Sequence, residues 1–188
     1  MYQYAADYEG IISVKNTVKD MQMSEASLVY WVAGVCAECA INKSNTNKQY
    51  DGELEVETSF TQSELKKSIE EGEFVLHKVD NLIKVLEDIN SLISVSVEMN
   101  QDFKSNQTIR ILDQMGNDLA VLFNESYLGK VKNNEAGRIS YWKDIVKYDK
   151  ELEKLEAIEN FNPDEVVVEA GEDKKSIVVT NPVQVVNC

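Results

Sequence analysis

The sequence predicts an α+β fold, a mostly antiparallel sheet packed against long helices, and three observations predict it. Apolar residues recur at steps of three and four through two stretches, 106–127 and 136–157, which is the period of an amphipathic helix. Short β-branched runs separated by turn residues stand on either side of those stretches, the mark of hairpins. Strand and helix patterns do not alternate regularly, so a parallel sheet built of βαβ units is not expected. With 188 residues, 43% of them apolar, the chain suffices for one domain with a core of its own.

Taken in order, residues 10–20 read as an extended lead-in with Ile11, Ile12 and Val14 near its start. Ser24 stands where an N-cap belongs, before a helix running to about Ile41. Leu28, Val29, Trp31, Val32, Val35 and Ile41 leave that helix apolar on most sides, so it should be largely buried. Residues 42–52 are polar and turn-rich, a loop. Glu53-Leu54-Glu55-Val56-Glu57 alternates charged and apolar residues as a half-buried strand does. Thr61-Gln62-Ser63-Glu64 is a capping box for a short helix stopping near Gly72. Phe74-Val75-Leu76 and Leu82-Ile83-Lys84-Val85-Leu86 flank Asp80-Asn81 as a hairpin.

The longest helix is expected over 106–127, with Ile109, Leu112, Met115, Leu119, Leu122 and Phe123 on its face and Gly129 at its stop. A second, over 136–157, carries Ile139, Trp142, Ile145, Val146, Leu152 and Leu155 on one side. Val166-Val167-Val168 and Ile177-Val178-Val179, joined by Gly171-Glu172-Asp173-Lys174-Lys175, form a second hairpin, and Val183, Val185 and Val186 follow Pro182. The expected organisation is an extended segment over 1–22, a helix-plus-hairpin part over 23–100, and a core domain over 101–188.

Composition excludes several function classes. The formal charge of −14 argues against a nucleic-acid partner, because phosphate binding needs Lys and Arg to replace counterions. No apolar run approaches the roughly 20 residues of a spanning helix, so no membrane anchoring is expected. Met1-Tyr2-Gln3-Tyr4 lacks the basic flank and apolar core of a signal peptide. The acidic excess is heavier in 1–100 than in 101–188, and 130–150 is locally basic. Lys130, Lys132, Arg138, Lys143, Lys147 and Lys150 there outnumber Glu135, Asp144 and Asp149.

No constellation of residues points to catalysis. Cys36 and Cys39 form a CxxC, but the predicted helix places the pair well inside it, where the dipole does not activate a thiol. His77 and Cys188 are too remote to complete a zinc site, so neither a metal nor an intramolecular disulfide is expected and the cysteines read as small packing residues. His77, the one histidine, sits in a strand without a partnered Ser or Cys and reads as a sheet-surface residue. Gly129-Lys130-Val131 lacks the remainder of a P-loop, and no calcium-loop spacing occurs among the acids. Catalytic, cofactor and metal residues are therefore expected to be none. A pair of carboxylates meeting only in space stays open as an alternative, an acidic hydrolase.

Thr108-Ile109-Arg110-Ile111-Leu112-Asp113-Gln114, then Asn117-Asp118-Leu119 and Phe123, resemble the long helix of the contractile phage tail sheath family of Gram-positive hosts. Tyr127-Leu128-Gly129-Lys130-Val131-Lys132-Asn133-Asn134-Glu135-Ala136-Gly137-Arg138 is similar to its Tyr-x-Gly-Lys…Asn…Gly-Arg segment. Ala157-Ile158-Glu159-Asn160-Phe161, Val166-Val167-Val168-Glu169-Ala170-Gly171, Lys174-Lys175-Ser176-Ile177-Val178-Val179 and Val183-Gln184-Val185-Val186-Asn187 follow in the same order. Upstream, Asp7-Tyr8-Glu9-Gly10-Ile11-Ile12-Ser13-Val14 and Trp31-Val32-Ala33-Gly34 look like the corresponding region more loosely. The family usually carries small residues at Cys36 and Cys39, in keeping with packing.

The resemblance implies a fold of the tail-sheath core-domain type and a structural role without enzyme activity or cofactor. Subunits of this kind stack as hexameric rings around a tail tube, in a virion or a phage-tail-like bacteriocin particle assembled in the host cytoplasm. Their extended arms add strands to neighbouring sheets, and contraction drives the tube through the host envelope. Partners are then neighbouring sheath subunits and the tube protein. Ile11, Ile12, Val14, Val183, Val185 and Val186 are the candidate inter-subunit strand residues; Lys143, Lys147 and Lys150, sharing one helix face, are candidates to meet an acidic tube. An ordinary solvated helix face is the alternative for those lysines. The family's arms and last apolar strand lie beyond 1–188, so the chain is expected to be part of a longer subunit, either a fragment with Met1 an artificial start or a cleaved core, and monomeric alone. A baseplate or other non-sheath assembly protein is the nearest competing reading.

Overall fold

The computed structural model describes residues 6–20 and 22–188. The reading of Met1-Tyr2-Gln3-Tyr4 and the first five residues of the 1–22 segment lie outside the described residues. The chain divides into two units, Met1–Ile109 and Arg110–Cys188.

In the first unit, strand β1 (Ser13–Val14) leads to a 3-10 turn (Glu25–Ser27) and helix α1 (Leu28–Glu38). Helix α2 (Gln62–Glu70), β2 (Glu73–Phe74), β3 (Leu76–Val79) and β4 (Leu82–Val85) follow. β1 pairs with β2 in parallel and β3 with β4 antiparallel, Leu76 opposite Val85. Leu28 and Val32 of α1 meet Val18, Val56, Phe74, Leu76 and Val85 in one buried cluster. Asn16 closes the layer from within. Its buried amide donates to the carbonyls of Glu57 and Leu76, both at 2.8 Å, and its oxygen accepts from the Leu76 amide at 2.7 Å. Gly72 ends α2 at φ +69, and a Cβ there would press on the Ser91 backbone at 3.0 Å, so glycine is required.

Helix α3 (Asn106–Ser126) starts in this unit and continues into the second, which adds α4 (Glu135–Lys154), β5 (Ile158–Glu159), β6 (Val167–Ala170), β7 (Ile177–Thr180) and β8 (Gln184–Val185). β6 and β7 form an antiparallel hairpin with Val168 opposite Val179; β5 pairs antiparallel with β8. Tyr127, Tyr141, Ile145, Val146 and Val166 make this unit's core. Trp142 is pinned by its indole N–H, which donates to the Val166 carbonyl at 3.0 Å. The α+β class holds, and the sheet is mostly antiparallel, although it consists of two-stranded pairs rather than one surface.

Six local expectations are corrected. The first helix ends at Glu38, with Cys39 already extended, and it is not buried on most sides. Leu28, Val32 and Val35 form one stripe, one turn apart, that meets the core; Val29 and Tyr30 on the other faces are 49% and 83% exposed. The 53–57 segment makes a single bridge, Val56 with Val18, because its pairing stops at Thr17 and Lys19. The 74–76 run splits: Phe74 pairs with Val14, and the hairpin begins at Leu76. The last long helix stops at Lys154, short of Ala157. There Glu156 turns left-handed at φ 59, and the amides of Glu156 and Ala157 return to the carbonyls of Glu153 and Leu152. Ile139 and Leu155 are 46% and 50% exposed; the buried side of α4 is Tyr141, Ile145, Val146, Asp149 and Leu152.

Candidate assembly surface

Lys143, Lys147 and Lys150 are all exposed on α4, opposite the residues that enter the core. Among the described residues, no carboxylate lies within ion-pairing distance of any of them. Held at helical spacing on a helix whose other side is anchored, they form a cationic ridge.

The candidate strand residues are spread over both units. Ile11 is 45% exposed, while Ile12 and Val14 pack against the first core, Val14 pairing with Phe74. Val185 pairs with Ile158, and the Val186 amide donates to the Ala157 carbonyl at 3.0 Å. Val14 and Val185 thus already have one partner strand within their own chain. Each pair has only two strands; the second side of β4 is taken by residues 47–50, with the Tyr50 amide donating to the Ile83 carbonyl at 2.8 Å and the Val85 amide to the Lys48 carbonyl at 2.9 Å, while no third strand joins the other pairs among the described residues.

A cavity of about 390 Å³ lies in the second unit, between the α3–α4 connection and the tip of the β6–β7 hairpin. Its floor is aromatic. Phe123 and Tyr141 cross edge-on with centroids 5.4 Å apart, Tyr127 and Tyr141 likewise at 4.8 Å, and Ile177 lies beside them. Lys132, Arg138, Lys174 and Lys175 line its rim, and no acidic residue is among its lining. The loop that shapes it is tightly determined. Asn134 caps α4, accepting from the Gly137 amide at 2.9 Å, and a Cβ on Gly137 would strike the Lys132 carbonyl. Asn133 donates to the Ser176 carbonyl at 2.8 Å and accepts from Arg138 at 3.1 Å, tying loop, helix and hairpin together. The 127–138 segment, notable in the sequence for its glycines and bases, is therefore the wall of a cavity. Lys174 and Lys175 complete the rim from some forty residues away, which sequence spacing could not indicate.

The residues weighed for chemistry stand apart. Cys36 lies in α1 and Cys39 at its C-cap, corrected from well inside the helix; neither Cys36, Cys39 nor Cys188 is in a disulfide. The Asn45 amide lies 3.9 Å from the Cys36 sulfur, and the Cys39 thiol donates to the Lys43 carbonyl at 3.4 Å. His77 faces Lys84 across the β3–β4 register, and burial, helped by that charge, holds its pKa below the ordinary value. Among the described residues no three His, Cys, Asp or Glu side chains cluster as metal ligands would, and no helix is long and apolar enough to cross a membrane.

Comparison with known proteins gives the family. Residues 1–91 match the phage tail sheath protein central domain and residues 98–188 the phage tail sheath C-terminal domain, and the chain belongs to the phage tail sheath family. It is 29% identical over 197 residues to the phage-like element PBSX protein XkdK of Bacillus subtilis, covering 98% of this chain and 42% of that protein. A tail sheath protein of Clostridium phage phiCD119 is 25% identical over 157 residues, covering 82% and 44%. Among solved structures, the sheath tail protein of Listeria innocua superposes with a TM-score of 0.88 at 30% identity, covering 98% of this chain and 44% of that one. The sheath tail protein of Desulfitobacterium hafniense does so at 0.80 and 29%, covering 97% and 47%. The chain spans less than half the length of these relatives.

Proposed function

We infer that this chain is the structural core of a contractile tail sheath subunit, which surrounds a tail tube and shortens to drive the tube through a host envelope. The observation that carries the reading is the succession of two sheath domain matches, 1–91 then 98–188, over one fold likeness spanning nearly the whole chain. The subunit would belong to the tail of a virion or phage-tail-like particle, assembled in the host cytoplasm, and the role needs no catalytic residue or cofactor. Strand sides without a partner suit arms from neighbouring subunits, because an added strand satisfies a row of backbone amides and carbonyls at once. Contraction then follows from two sets of subunit contacts of different free energy, with the arms keeping subunits linked while they rotate and slide.

The lysine ridge is assigned to the tube. A contact that must release on contraction is better made of exposed, screened charges than of an apolar seam. Lys143→Glu with Lys147→Glu in the full-length subunit should impair sheath formation around tubes, seen as bare tubes in electron micrographs. Normal contractile sheaths from the double variant would reject the tube assignment.

A further inference from the structure

The cavity of the second unit has a chemistry that specifies an occupant. Lys132, Arg138, Lys174 and Lys175 surround aromatic walls, and no described carboxylate forms an ion pair with any of the four. Four such cations concentrated in one place on a chain of net charge −14 invite an acidic visitor carrying an apolar tip.

The first unit presents that combination. Residues 7–11 are stitched alongside residues 91–94. The amides of Ile93 and Ser94 donate to the Asp7 carboxylate at 2.6 and 2.8 Å, the Ser91 hydroxyl donates to the Tyr8 carbonyl at 2.9 Å, and the Ser91 amide donates to the Ile11 carbonyl at 2.8 Å. Tyr8 and Ile11 are 52% and 45% exposed, and Val95 and Val97, which follow the stitched residues in the chain, are 45% and fully exposed. Asp7, Glu9 and Glu98 accompany them; neither 6–12 nor 91–100 contains a Lys or Arg, although Lys104 is near enough to Asp7 to help lower its pKa. Several exposed apolar side chains on neighbouring segments mark a contact surface where a single one would not.

We propose that the cationic cavity of one copy receives the acidic, apolar edge formed by residues 7–11 and 95–98 of a second copy. The two surfaces differ, so the contact can repeat head-to-tail from copy to copy, as a ring or a helix requires. The inference takes from the sheath reading only that copies meet, and it adds where. The contact is small and its charges are screened, so it is weak for an isolated chain and serves as one joint among several in an assembly.

The test is charge exchange in the 188-residue chain, followed by sedimentation equilibrium at low salt from micromolar to near-millimolar protein. Wild-type chain should associate at the upper end, and association should weaken with added salt. Lys174→Glu with Lys175→Glu, and separately Glu9→Lys with Glu98→Lys, should each weaken it at least about tenfold. A mixture of the two double variants should recover it, because each mutated surface then meets its complement. Val97→Ser, which leaves charge and fold alone, should also weaken it. Unchanged association in either charge variant, no recovery on mixing, or a wild-type chain that stays monomeric throughout would overturn the proposal. Unchanged association would assign the cavity to another partner and leave the sheath reading intact, since that reading is decided by micrographs of full-length particles.

Discussion

Asp149 is the residue at which the sequence pattern and the core disagree. It lies on the buried side of α4 between Val146 and Leu152, with no exposed surface, and no donor reaches either oxygen in hydrogen-bond geometry among the described residues. Burial pushes its carboxyl up to about 6, and the Asn181 amide, close enough to oppose the rise, is itself buried without a made bond. In the unfolded chain the same group titrates near its ordinary value of 3.8. Between roughly pH 4 and 6 the unfolded chain therefore releases a proton that the folded chain keeps, so this residue's contribution to stability falls as pH rises through that window. Above it the folded chain carries the whole cost of an ionised buried carboxylate, about 2–3 kcal/mol. Asp149→Asn is expected to be more stable than wild type by about that amount at pH 7 and nearly equal to it near pH 4. Urea unfolding of both proteins at several pH values checks this. A difference that does not change with pH would mean that packing, and not charge, is responsible. Glu57, lowered to about 2 by the Ser59 hydroxyl and amide and by Lys19, runs oppositely. It favours the folded state above its unfolded pKa, and that contribution is lost as pH falls towards 2, which is why the comparison is made between variants.

Among the elements, those announced by local chemistry formed where expected. The capping box of α2 is complete. The Glu64 amide donates to the Thr61 hydroxyl at 3.3 Å, and the Thr61 amide donates to the Glu64 carboxylate at 2.7 Å. Thr61→Ala should destabilise the first unit by about 1 kcal/mol, whereas Thr61→Ser should be nearly neutral, because the hydroxyl is the group that matters. Equal losses in both variants by urea unfolding would assign the effect to the Thr61 methyl. Elements defined by what they pack against were less legible. The periodicity of α1 allows several buried faces, and only contact with Val18, Val56 and Phe74 selected the stripe through Leu28 and Val32. Likewise the alternation at 53–57 indicated which way Leu54 and Val56 point, but strand length depends on how much of the partner runs alongside.

At the scale of the whole molecule, the family is a property of both halves, and the surfaces proposed for assembly are distributed between them. Alone and dilute, the chain has strand sides to offer but none of the neighbours that would cover them. Size-exclusion chromatography with light scattering at micromolar concentration should give a monomer, and the head-to-tail contact proposed above emerges only near millimolar. A stable hexamer or tubular polymer from these residues alone would show that added strands from neighbouring arms are dispensable, and the tethering role assigned to them would fall.

The sequence by itself determined what short-range physics decides: the helical period of α3 and α4, the cap at Thr61, the turn at Asp80-Asn81, the hairpin of 167–180 and the acidic charge. The ordered motifs from Thr108 to Asn187 also indicated the family. Tertiary structure alone decided that Val14 pairs in parallel with Phe74, that Val185 finds Ile158, and that Asp149 is buried. It also brought Lys174 and Lys175 to the rim shared with Lys132 and Arg138. The reason is range. A cap or a turn is satisfied within a few residues, but burial and charge clustering depend on which distant segments fold against one another, and the local pattern permits many such partners.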